Sequence, residues 1–596
     1  MDRRRFLAAG AAAPLVAAAA PSRIADRTLR VAFPSPETGF DPAQVQDTYS
    51  NQIICHIFDA PLRFDYMARP VRLVPNTTIG LPEVSGDFRT FTLRIRPGIW
   101  FQDDAAFKGQ RRELTAEDYV YSIKRVFDPR WKSQMLFELE PAKIVGIDVL
   151  RQRALKGRAF EYDAPIEGLR ALDRYTLQIH LAEPSPRFVY TLTLATPLGA
   201  VAREAVEMYG DQIMEHPVGT GPFRLARWVR TSRIVLERNA TYRDETWDFE
   251  PPSDIPGLQR DAARLRGRKV PLLDRVEVTI VEESQPRWLS FDQGALDLLA
   301  VPFDYVPIAA PDRKLAPHLE RRGIRLQSTL LPDVTLSYFN TDHPVVGGYS
   351  PDKVALRRAV SLAFDSGRFI REIYHGSAVA AESPVVPGTY GYDPSLHTEL
   401  GEFSPARAKA LLDVYGYLDR DGDGWREQPN GAPLVLDMAS SPSQLDRRQN
   451  EHWKRCMDAV GLKMEFRVAQ WPELLKQSLA GKLMMWGFGW QSGSPDSDLF
   501  FSLAYGPNLG SSNDARFSLK AYDSLYARQH TLPDGPERLA LLREATRLLV
   551  AYMPYKFIAH RIQLDLTQPW VVGFRRPLFT TRLWAYMDVD ADARGG

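Results

Sequence analysis

Short segments in which apolar and polar residues alternate recur along the first half of this chain. Residues 29–33 (LRVAF) and 272–280 (LLDRVEVTI) show this two-residue period, which is typical of β-strands with one buried face. Residues 223–225 and 234–236 are two further strand-like runs joined by a polar link, so we expect a β-hairpin there. The alternation therefore predicts strands both at the start of the chain and before residue 280.

Segments with helical periodicity lie between and after these strands. Thr115 and Asp118 occupy the positions of a reciprocal capping box, and apolar residues follow them at helical spacing, so a helix should start there. Residues 350–351 and 404–405 are both Ser-Pro, which places a capping serine before a proline at the first helical position. Strands and helices that alternate in this way predict an α/β protein.

Two stretches show neither the two-residue period of a strand nor the spacing of a helix. Residues 151–162 and 250–268 are polar, charged or proline-bearing, and they lie between apolar elements. Such a composition is typical of connections on the protein surface. We therefore predict that both stretches are surface loops.

Residues 419–424 (DRDGDG) form a separate acidic motif. Carboxylates at alternate positions followed by glycine match the first half of an EF-hand calcium loop. The closing glutamate of such a loop would stand eleven residues after Asp419, where this chain has Asn430. A strand-like run at 433–436 follows, where an EF-hand would have its second helix. We therefore favour a structural turn over a calcium site and predict no metal centre.

Length and composition narrow the class of protein. A chain of 596 residues exceeds what a single hydrophobic core supports, so at least two lobes or domains are expected. The formal net charge of +1, from 75 basic and 74 acidic residues, gives no electrostatic reason to expect nucleic acid or an anionic membrane as partner. Only Cys55 and Cys456 are present, which excludes a disulfide framework and leaves open whether these two pair.

The N-terminus carries an export signal. Residues 3–7 (RRRFL) precede an alanine-rich apolar run to residue 20, and this order resembles a twin-arginine signal. The run is too short to span a bilayer, and no later stretch approaches the roughly 18 apolar residues that a span needs. We therefore predict a twin-arginine-like signal peptide at 1–25 and a periplasmic mature chain that does not insert into the membrane.

One stretch resembles the signature of a known family. Residues 216–223 (HPVGTGPF), followed by the spaced Trp228, contain prolines that fix backbone angles and glycines that permit unusual ones. This motif resembles that of the peptide/nickel-type periplasmic solute-binding proteins of ABC importers (the oligopeptide- and dipeptide-binding family, family 5). Residues 355–376 are similar to that family's second-lobe helix pair, and the resemblance covers nearly the whole mature chain.

The resemblance implies a two-lobed periplasmic binding protein fold of the α/β class (type II, cluster C) with an extra small subdomain in the first lobe. Crossing strands near 335–341 and 555–561 would join the lobes. The expected division is 26–48 plus 169–332 plus 561–596 for lobe I, 49–168 for the accessory subdomain of lobe I, and 333–560 for lobe II.

The function implied by the resemblance is binding and delivery without chemistry. A monomer would capture a peptide or peptide-like solute between its lobes by hinge closure and deliver it to the ABC permease of the inner membrane, with no cofactor. A binder of a non-peptide solute (an opine, a metal chelate or haem) stays open as the alternative, and so does a chaperone or signalling receptor. An exported hydrolase is less favoured, because the chain has no HExxH, GxSxG or CxxC motif.

The richest candidate for ligand binding is the segment 484–498 (MMWGFGWQSGSPDSD), an aromatic strand interrupted by glycines and followed by an acidic loop. Glycines let another backbone come close, and main-chain hydrogen bonds can hold a peptide of any sequence. Alternatively, Trp486 and Trp490 are core residues of a buried strand, and 46–49 is a solvated loop. The residues that the resemblance assigns to ligand binding are Gln46, Asp47, Thr48, Tyr49, Gly489, Trp490 and Gln491.

One position departs from the family's pattern. The family's peptide binders place an aspartate three residues after the tryptophan, where it pairs with the ligand's α-ammonium group, and this chain has Gly493 there. A buried ammonium group without a partner is unfavourable. Either Asp496 or Asp498 substitutes from the adjacent loop, or the ligand carries no free α-amine at that end.

Overall fold

A computed structural model describes residues 27–45, 47–253, 255–579 and 581–595 of the chain. The export signal predicted at 1–25 lies outside these residues. Strands and helices alternate along the described chain, as the periodicity predicts for an α/β protein.

The strands are β1 (Thr28–Phe33), β2 (Leu62–Phe64), β3 (Leu73–Pro75), β4 (Glu83–Val84), β5 (Thr90–Arg94), β6 (Leu169–Asp173), β7 (Thr176–His180), β8 (Phe223–Val229), β9 (Arg233–Arg238), β10 (Arg275–Ile280), β11 (Leu298–Ala300), β12 (Arg325–Leu330), β13 (Asp333–Phe339), β14 (Ala378–Ala380), β15 (Val435–Ser440), β16 (Lys463–Val468), β17 (Met485–Gln491), β18 (Tyr555–Thr567), β19 (Val571–Val572) and β20 (Asp588–Val589).

The α-helices are α1 (Thr48–Ile57), α2 (Ala116–Phe127), α3 (Leu136–Leu139), α4 (Ile147–Leu155), α5 (Phe188–Thr191), α6 (Ala195–Leu198), α7 (Arg203–Tyr209), α8 (Pro256–Leu265), α9 (Ser284–Asp292), α10 (Val306–Ala309), α11 (Pro317–Glu320), α12 (Pro351–Ala363), α13 (Ser366–Ile373), α14 (Pro405–Val414), α15 (Gln444–Asp458), α16 (Trp471–Leu479), α17 (Asp498–Ser502), α18 (Lys520–Thr531), α19 (Pro536–Tyr552) and α20 (Ala591–Gly595).

The first half of the chain folds around one large core. A four-stranded sheet in the order β1-β10-β9-β8 forms its centre, and β8 and β9 are the antiparallel hairpin that the sequence predicts. The C-terminal segment 571–589 returns to this core, where the Trp247 indole N–H donates to the Tyr586 carbonyl oxygen at 3.0 Å. The part of the chain that the structure describes therefore begins and ends in the same lobe.

A second four-stranded sheet, in the order β4-β5-β7-β6, packs on α2 within the same hydrophobic core. The helix α2 starts as predicted, because the Asp118 carboxylate accepts the Thr115 backbone N–H at 2.7 Å. Two strands of this sheet, β6 and β7, come after residue 168, where the sequence analysis predicts that the accessory subdomain ends. The division into lobes and subdomain stays a prediction.

The two stretches predicted as loops contain helices, so that expectation is wrong. The helix α4 occupies part of the first stretch, and α8 occupies the second. In α8, Leu258, Ala262 and Leu265 are buried at helical spacing together with Asp261, while the other polar residues between them are exposed. A buried carboxylate thus lies on the inward face, and the polar residues interrupting the apolar ones concealed the pattern.

The second half of the chain builds a separate core around a larger sheet. Its strands run in the order β11-β18-β13-β17-β15-β16, with β12 and β14 also paired to β18. The long strand β18 joins two hydrophobic clusters. Tyr555 to Ala559 belong to the second core, while Ile562, Leu564 and Leu566 belong to a small third core. The molecule thus has two lobes that share one continuous strand.

A second crossing runs beside β18. Strands β12 and β13 both pair with it, one on each side of residues 331–332. Pro332, which cannot donate to a ladder, stands between the two strands. The first crossing therefore lies slightly before residues 335–341, where the sequence expects it, and the second lies within β18.

Candidate functional site

The strand β17 presents a free edge. On one side all of its seven residues pair with β13, from Gln491 opposite Asp333 to Met485 opposite Phe339. On the other side, β15 meets β17 only at Met485. Within the described ranges, residues 487–491 therefore have no strand partner on that edge. Gly489 and Gln491 lie on this stretch and are exposed.

The two tryptophans of β17 have different environments. Trp486 is buried, with its ring 4.8 Å from that of Trp471 and 4.9 Å from that of Phe488. Trp490 is only half-buried at the outer end of the strand. The alternative that these residues belong to the core is therefore correct for Trp486 alone. Trp490 keeps a surface that a bound solute can contact.

The predicted residues of the first lobe lie at the start of α1. Asp47 caps this helix, since its carboxylate accepts the Ser50 backbone N–H at 2.8 Å and the Thr38 hydroxyl at 2.6 Å. Thr48 and Tyr49 belong to the first turn of the helix, which corrects the alternative of a solvated loop before it. Gln46 lies outside the described residues.

Tyr49 lies near a group of arginines that includes Arg561 of the crossing strand β18. The Tyr49 ring packs on Phe33 of the first core, with 4.9 Å between centroids. Burial raises the pKa of Tyr49, and the nearby positive charges of Arg287, Arg576 and Arg561 act in the opposite direction. These three guanidinium groups therefore lie within electrostatic reach of the Tyr49 hydroxyl.

Arg561 stands on β18 directly beside the free edge. A Cβ atom added to Gly489 would lie 4.0 Å from one terminal nitrogen of Arg561. The Arg561 Nε donates to the Asp333 carboxylate at 2.6 Å, and its backbone N–H donates to the other oxygen at 2.9 Å. The sequence reasoning missed Arg561, because β18 carries several other charged and polar residues and its sequence alone does not single out this arginine.

The two aspartates that follow β17 already have partners. Asp496 is buried and accepts two hydrogen bonds from the Arg538 guanidinium, at 2.6 and 2.7 Å. Asp498 accepts the Gln529 amide at 2.6 Å, and although burial opposes it, His530 holds the pKa of this carboxyl well below its usual range. Their role as partners of a ligand ammonium group stays a prediction.

The same loop contacts the first lobe. Arg187 immediately precedes α5, whose Phe188 is in the first core. Its guanidinium donates to the backbone carbonyl of His530, in the last turn of α18 of the second lobe. It also donates, at 2.9 Å, to the backbone carbonyl of Leu532, just after that helix. Its Nε also lies 4.0 Å from the Asp496 carboxylate. An arginine of one lobe thus caps the C-terminal end of a helix of the other lobe.

The acidic motif and the cysteines lie away from these residues. Asp419 accepts the backbone N–H groups of Gly422 and Gly424, at 2.7 and 3.0 Å, which is the hydrogen bonding of a tight turn. Oxygen atoms of Asp419, Asp421, Asp423 and Glu427 lie within 4.8 Å of one another. Cys55 and Cys456 are buried in different cores and do not pair.

The sequence matches one protein family over most of its length. The family described as "Bacterial extracellular solute-binding proteins, family 5 Middle" matches residues 72–512. Di/tripeptide-binding protein 2 of Pseudomonas aeruginosa (strain UCBPP-PA14) is 25% identical over 588 residues, which cover 96% of this chain and 97% of that protein. Heme-binding protein A of Haemophilus influenzae is 23% identical over 500 residues, which cover 83% of this chain and 80% of that protein.

Solved structures share the fold. DppA of Helicobacter pylori, an ABC transporter-associated periplasmic binding protein in complex with the peptide STSA, has a TM-score of 0.72 at 20% identity and covers 94% of this chain and 98% of its own. The unliganded open form of the murein tripeptide-binding protein MppA has a TM-score of 0.67 at 20% identity, covering 95% and 97%. The two-lobed periplasmic binding protein fold is thereby confirmed. Among the described helices, none is both long and apolar enough to cross a membrane.

Proposed function

This chain belongs to the bacterial extracellular solute-binding proteins, family 5, and we propose on that premise that it captures a peptide or peptide-like solute between its lobes and delivers it to an ABC permease of the inner membrane. The proposed site is the region where Tyr49 of the first lobe faces β17 of the second, with Arg561 on the crossing strand β18 beside it. The similarity to a di/tripeptide-binding protein supports a peptide-like solute.

The free edge of β17 carries this proposal. Backbone N–H and C=O groups on an unpaired edge need partners, and an extended peptide supplies them whatever its side chains are. Gly489 lowers the steric barrier to that approach, and the half-buried Trp490 provides an apolar wall. Sequence-tolerant binding of this kind suits an importer that accepts many related solutes.

The proposed mechanism is hinge closure. Two short crossings, at 331–332 and within β18, connect the lobes. Rotation about two adjacent crossings changes the gap between lobes without disturbing either core. A solute that contacts both Tyr49 and the edge of β17 binds the closed state better than the open one, which is the condition for ligand-driven closure. We propose lobe boundaries at 26–48, 169–332 and 561–596 for lobe I, with 49–168 as its accessory part, and 333–560 for lobe II.

We further propose that the protein acts in the periplasm as a monomer, after twin-arginine export, and has no catalytic activity. The family match supports an extracytoplasmic binder. A binder needs only a difference in affinity between its open and closed states. Incubation of the protein with peptide pools should therefore return every peptide intact by mass spectrometry.

The test combines small-angle scattering and calorimetry with pooled di- and tripeptides, both with free amines and N-acetylated. We expect the radius of gyration to fall when a binding pool is added. Gly489→Val should abolish binding without lowering the melting temperature, since an added Cβ meets only ordinary contacts at 3.8 and 4.0 Å. Gly493→Ala, with no heavy atom within 4 Å, is the matched control and should bind normally. A wild-type protein that neither contracts nor releases heat with any pool contradicts the proposal.

A further inference from the structure

The loop after β17 offers no free carboxylate for a ligand ammonium group. Gly493 is exposed and carries no side chain, while Asp496 and Asp498 are both engaged within their own lobe. Withdrawing Asp496 from Arg538 would leave that guanidinium, itself fully buried, without its bidentate partner. The loss of such a partner is strongly unfavourable. A solute with a free α-ammonium group at this end therefore finds no counter-charge in this loop.

The nearest charged group with unused donors is instead a cation. Arg561 uses only its Nε and its backbone N–H to contact Asp333, and among the described residues its two terminal nitrogens have no hydrogen-bond partner. Its side chain is 36% exposed, whereas that of Asp333 is completely buried behind it. Arg561 therefore presents two amino groups toward the space beside Gly489.

The groups around Arg561 also favour an anion. Arg576 also pairs with a completely buried aspartate, Asp565, to which it donates from Nε and one terminal nitrogen, and its side chain is 28% exposed. Arg287 donates to the Val281 carbonyl oxygen at 2.6 Å, and no carboxylate lies within ion-pair distance of it in the described ranges. Asp47, on the opposite wall, is occupied as the cap of α1. Apart from the exposed Glu283 near Arg287, the carboxylates named here are thus buried or engaged, while the Arg561 and Arg576 guanidinium groups are partly exposed.

We propose that Arg561 anchors the carboxylate of an acidic solute that carries no free α-ammonium group at the β17 end. This inference rests on the proposed function and specifies its ligand. Two unused terminal nitrogens on a planar guanidinium match the two oxygens of a carboxylate, which is the strongest side-chain recognition of that group. The Tyr49 hydroxyl is placed to donate a further hydrogen bond when the lobes close.

Three matched peptide pools test the inference by calorimetry. The first contains N-acetylated tripeptides with a free carboxylate, the second the same tripeptides with a free amine, and the third the N-acetylated tripeptide amides. We expect the first pool to bind at least about tenfold more tightly than either of the others. Preference for the second or third pool overturns the inference but leaves the proposed function standing. Failure of all three pools, together with no solute co-purifying from the host, contradicts the proposed function itself.

Variants at position 561 locate the contact. Arg561→Gln should weaken binding of the acetylated acids about tenfold or more and remove their preference over the amides. Because this change leaves Asp333 buried without its partner, the double variant Arg561→Gln with Asp333→Asn repeats the test in a neutral background. The control is Arg94→Gln, which changes an exposed arginine that pairs with Glu83 in the β4-β5-β7-β6 sheet. This variant should bind like wild type. Unchanged preference for acids in the double variant overturns the inference.

Mass spectrometry of the protein purified from its own host separates two sources of the carboxylate. A co-purifying N-blocked peptide or peptide fragment supports the inference as stated. A co-purifying organic acid without peptide bonds supports the role of Arg561 and identifies the solute as non-peptide. A co-purifying solute with a free α-amine and no acidic group overturns it.

Discussion

Individual buried charges in the second lobe depart from their ordinary titration. Lys556 is completely buried on β18, where its ammonium group donates to the Leu400 carbonyl oxygen, and burial lowers its pKa to about 7. Asp514 is buried against Ser478 of α16, where burial raises its pKa to about 6 although the Ser478 hydroxyl donates to it at 2.5 Å. Burial therefore disfavours the charged form of both groups.

Asp514→Asn should remove a pH dependence of stability. A carboxyl group whose pKa is raised from 3.8 to about 6 binds its proton more tightly in the folded state. Its contribution to stability is fully present below about pH 4 and is lost as the pH rises to 6, by about 3 kcal/mol. Urea unfolding of Asp514→Asn should thus show a smaller loss between pH 4 and 7 than wild type, and higher stability at pH 7.

The exposed Asp103 provides the control for this measurement. Asp103→Asn should reproduce the wild-type profile, because an exposed carboxyl group has similar surroundings in the folded and unfolded chains. If Asp514→Asn and wild type show the same dependence of the unfolding free energy on pH, ionisation of Asp514 does not destabilise the folded protein.

Residue-level prediction from the sequence succeeded where chemistry is local. The capping box at Thr115 and Asp118 depends on residues three positions apart, so its residues alone reveal it. Arg561 and Asp333 pair across two strands that are 228 residues apart in the chain. No local sequence pattern indicates such an ion pair. The same limit applies to Asp496 in the loop after β17, whose partner Arg538 lies on α19.

At the scale of elements, the HPVGTGPF stretch is organised by contact with α1. A Cβ atom on Gly219 would lie 2.0 Å from the Ile57 carbonyl oxygen, and one on Gly221 would lie 2.6 Å from the His56 carbonyl oxygen. The Gly221 backbone N–H also donates to the Ile57 carbonyl at 2.8 Å. The glycines therefore allow the stretch to lie directly on the C-terminal backbone of the helix whose first turn carries Tyr49.

Gly219→Ala should destabilise the first lobe by about 2–4 kcal/mol, because a backbone carbonyl cannot move away as a flexible side chain would. Denaturant unfolding followed by tryptophan fluorescence measures this loss. Gly257→Ala is the matched control on α8, since it has no heavy atom within 4 Å. That change should instead stabilise by up to about 1 kcal/mol, as alanine favours the helix. Equal stability of the two variants contradicts the close-contact argument.

Elements with strong periodicity were predictable, and weakly amphipathic ones were not. The strands β1 and β10 and the β8–β9 hairpin follow the alternation that predicts them. The helices α4 and α8 were missed because charged and polar residues interrupt their apolar positions, and burial of a narrow apolar face decides their structure. Tertiary packing, which the sequence pattern only partly records, supplies the missing information.

At the scale of the whole molecule, the resemblance to a family predicted two lobes, and the pairing of β18 explains how they are joined. The first part of this strand pairs with β13 and β14, and its last part pairs with β11 and β12. Contacts between the lobes could not be predicted, since they arise from loops such as the one after α18. Those contacts determine how readily the molecule opens.

Arg187 provides the sharpest test of lobe closure. Its guanidinium donates to carbonyl groups of residues 530 and 532 on the opposite lobe, so Arg187→Ala should favour the open state by about 1–2 kcal/mol. Since the solute binds the closed state, its apparent Kd should rise about tenfold, while the radius of gyration of the free protein increases. Arg94→Ala, which breaks an exposed pair within one lobe, should change neither value. If the radius of gyration and the apparent Kd of Arg187→Ala equal those of wild type, this contact forms in both states and does not control closure.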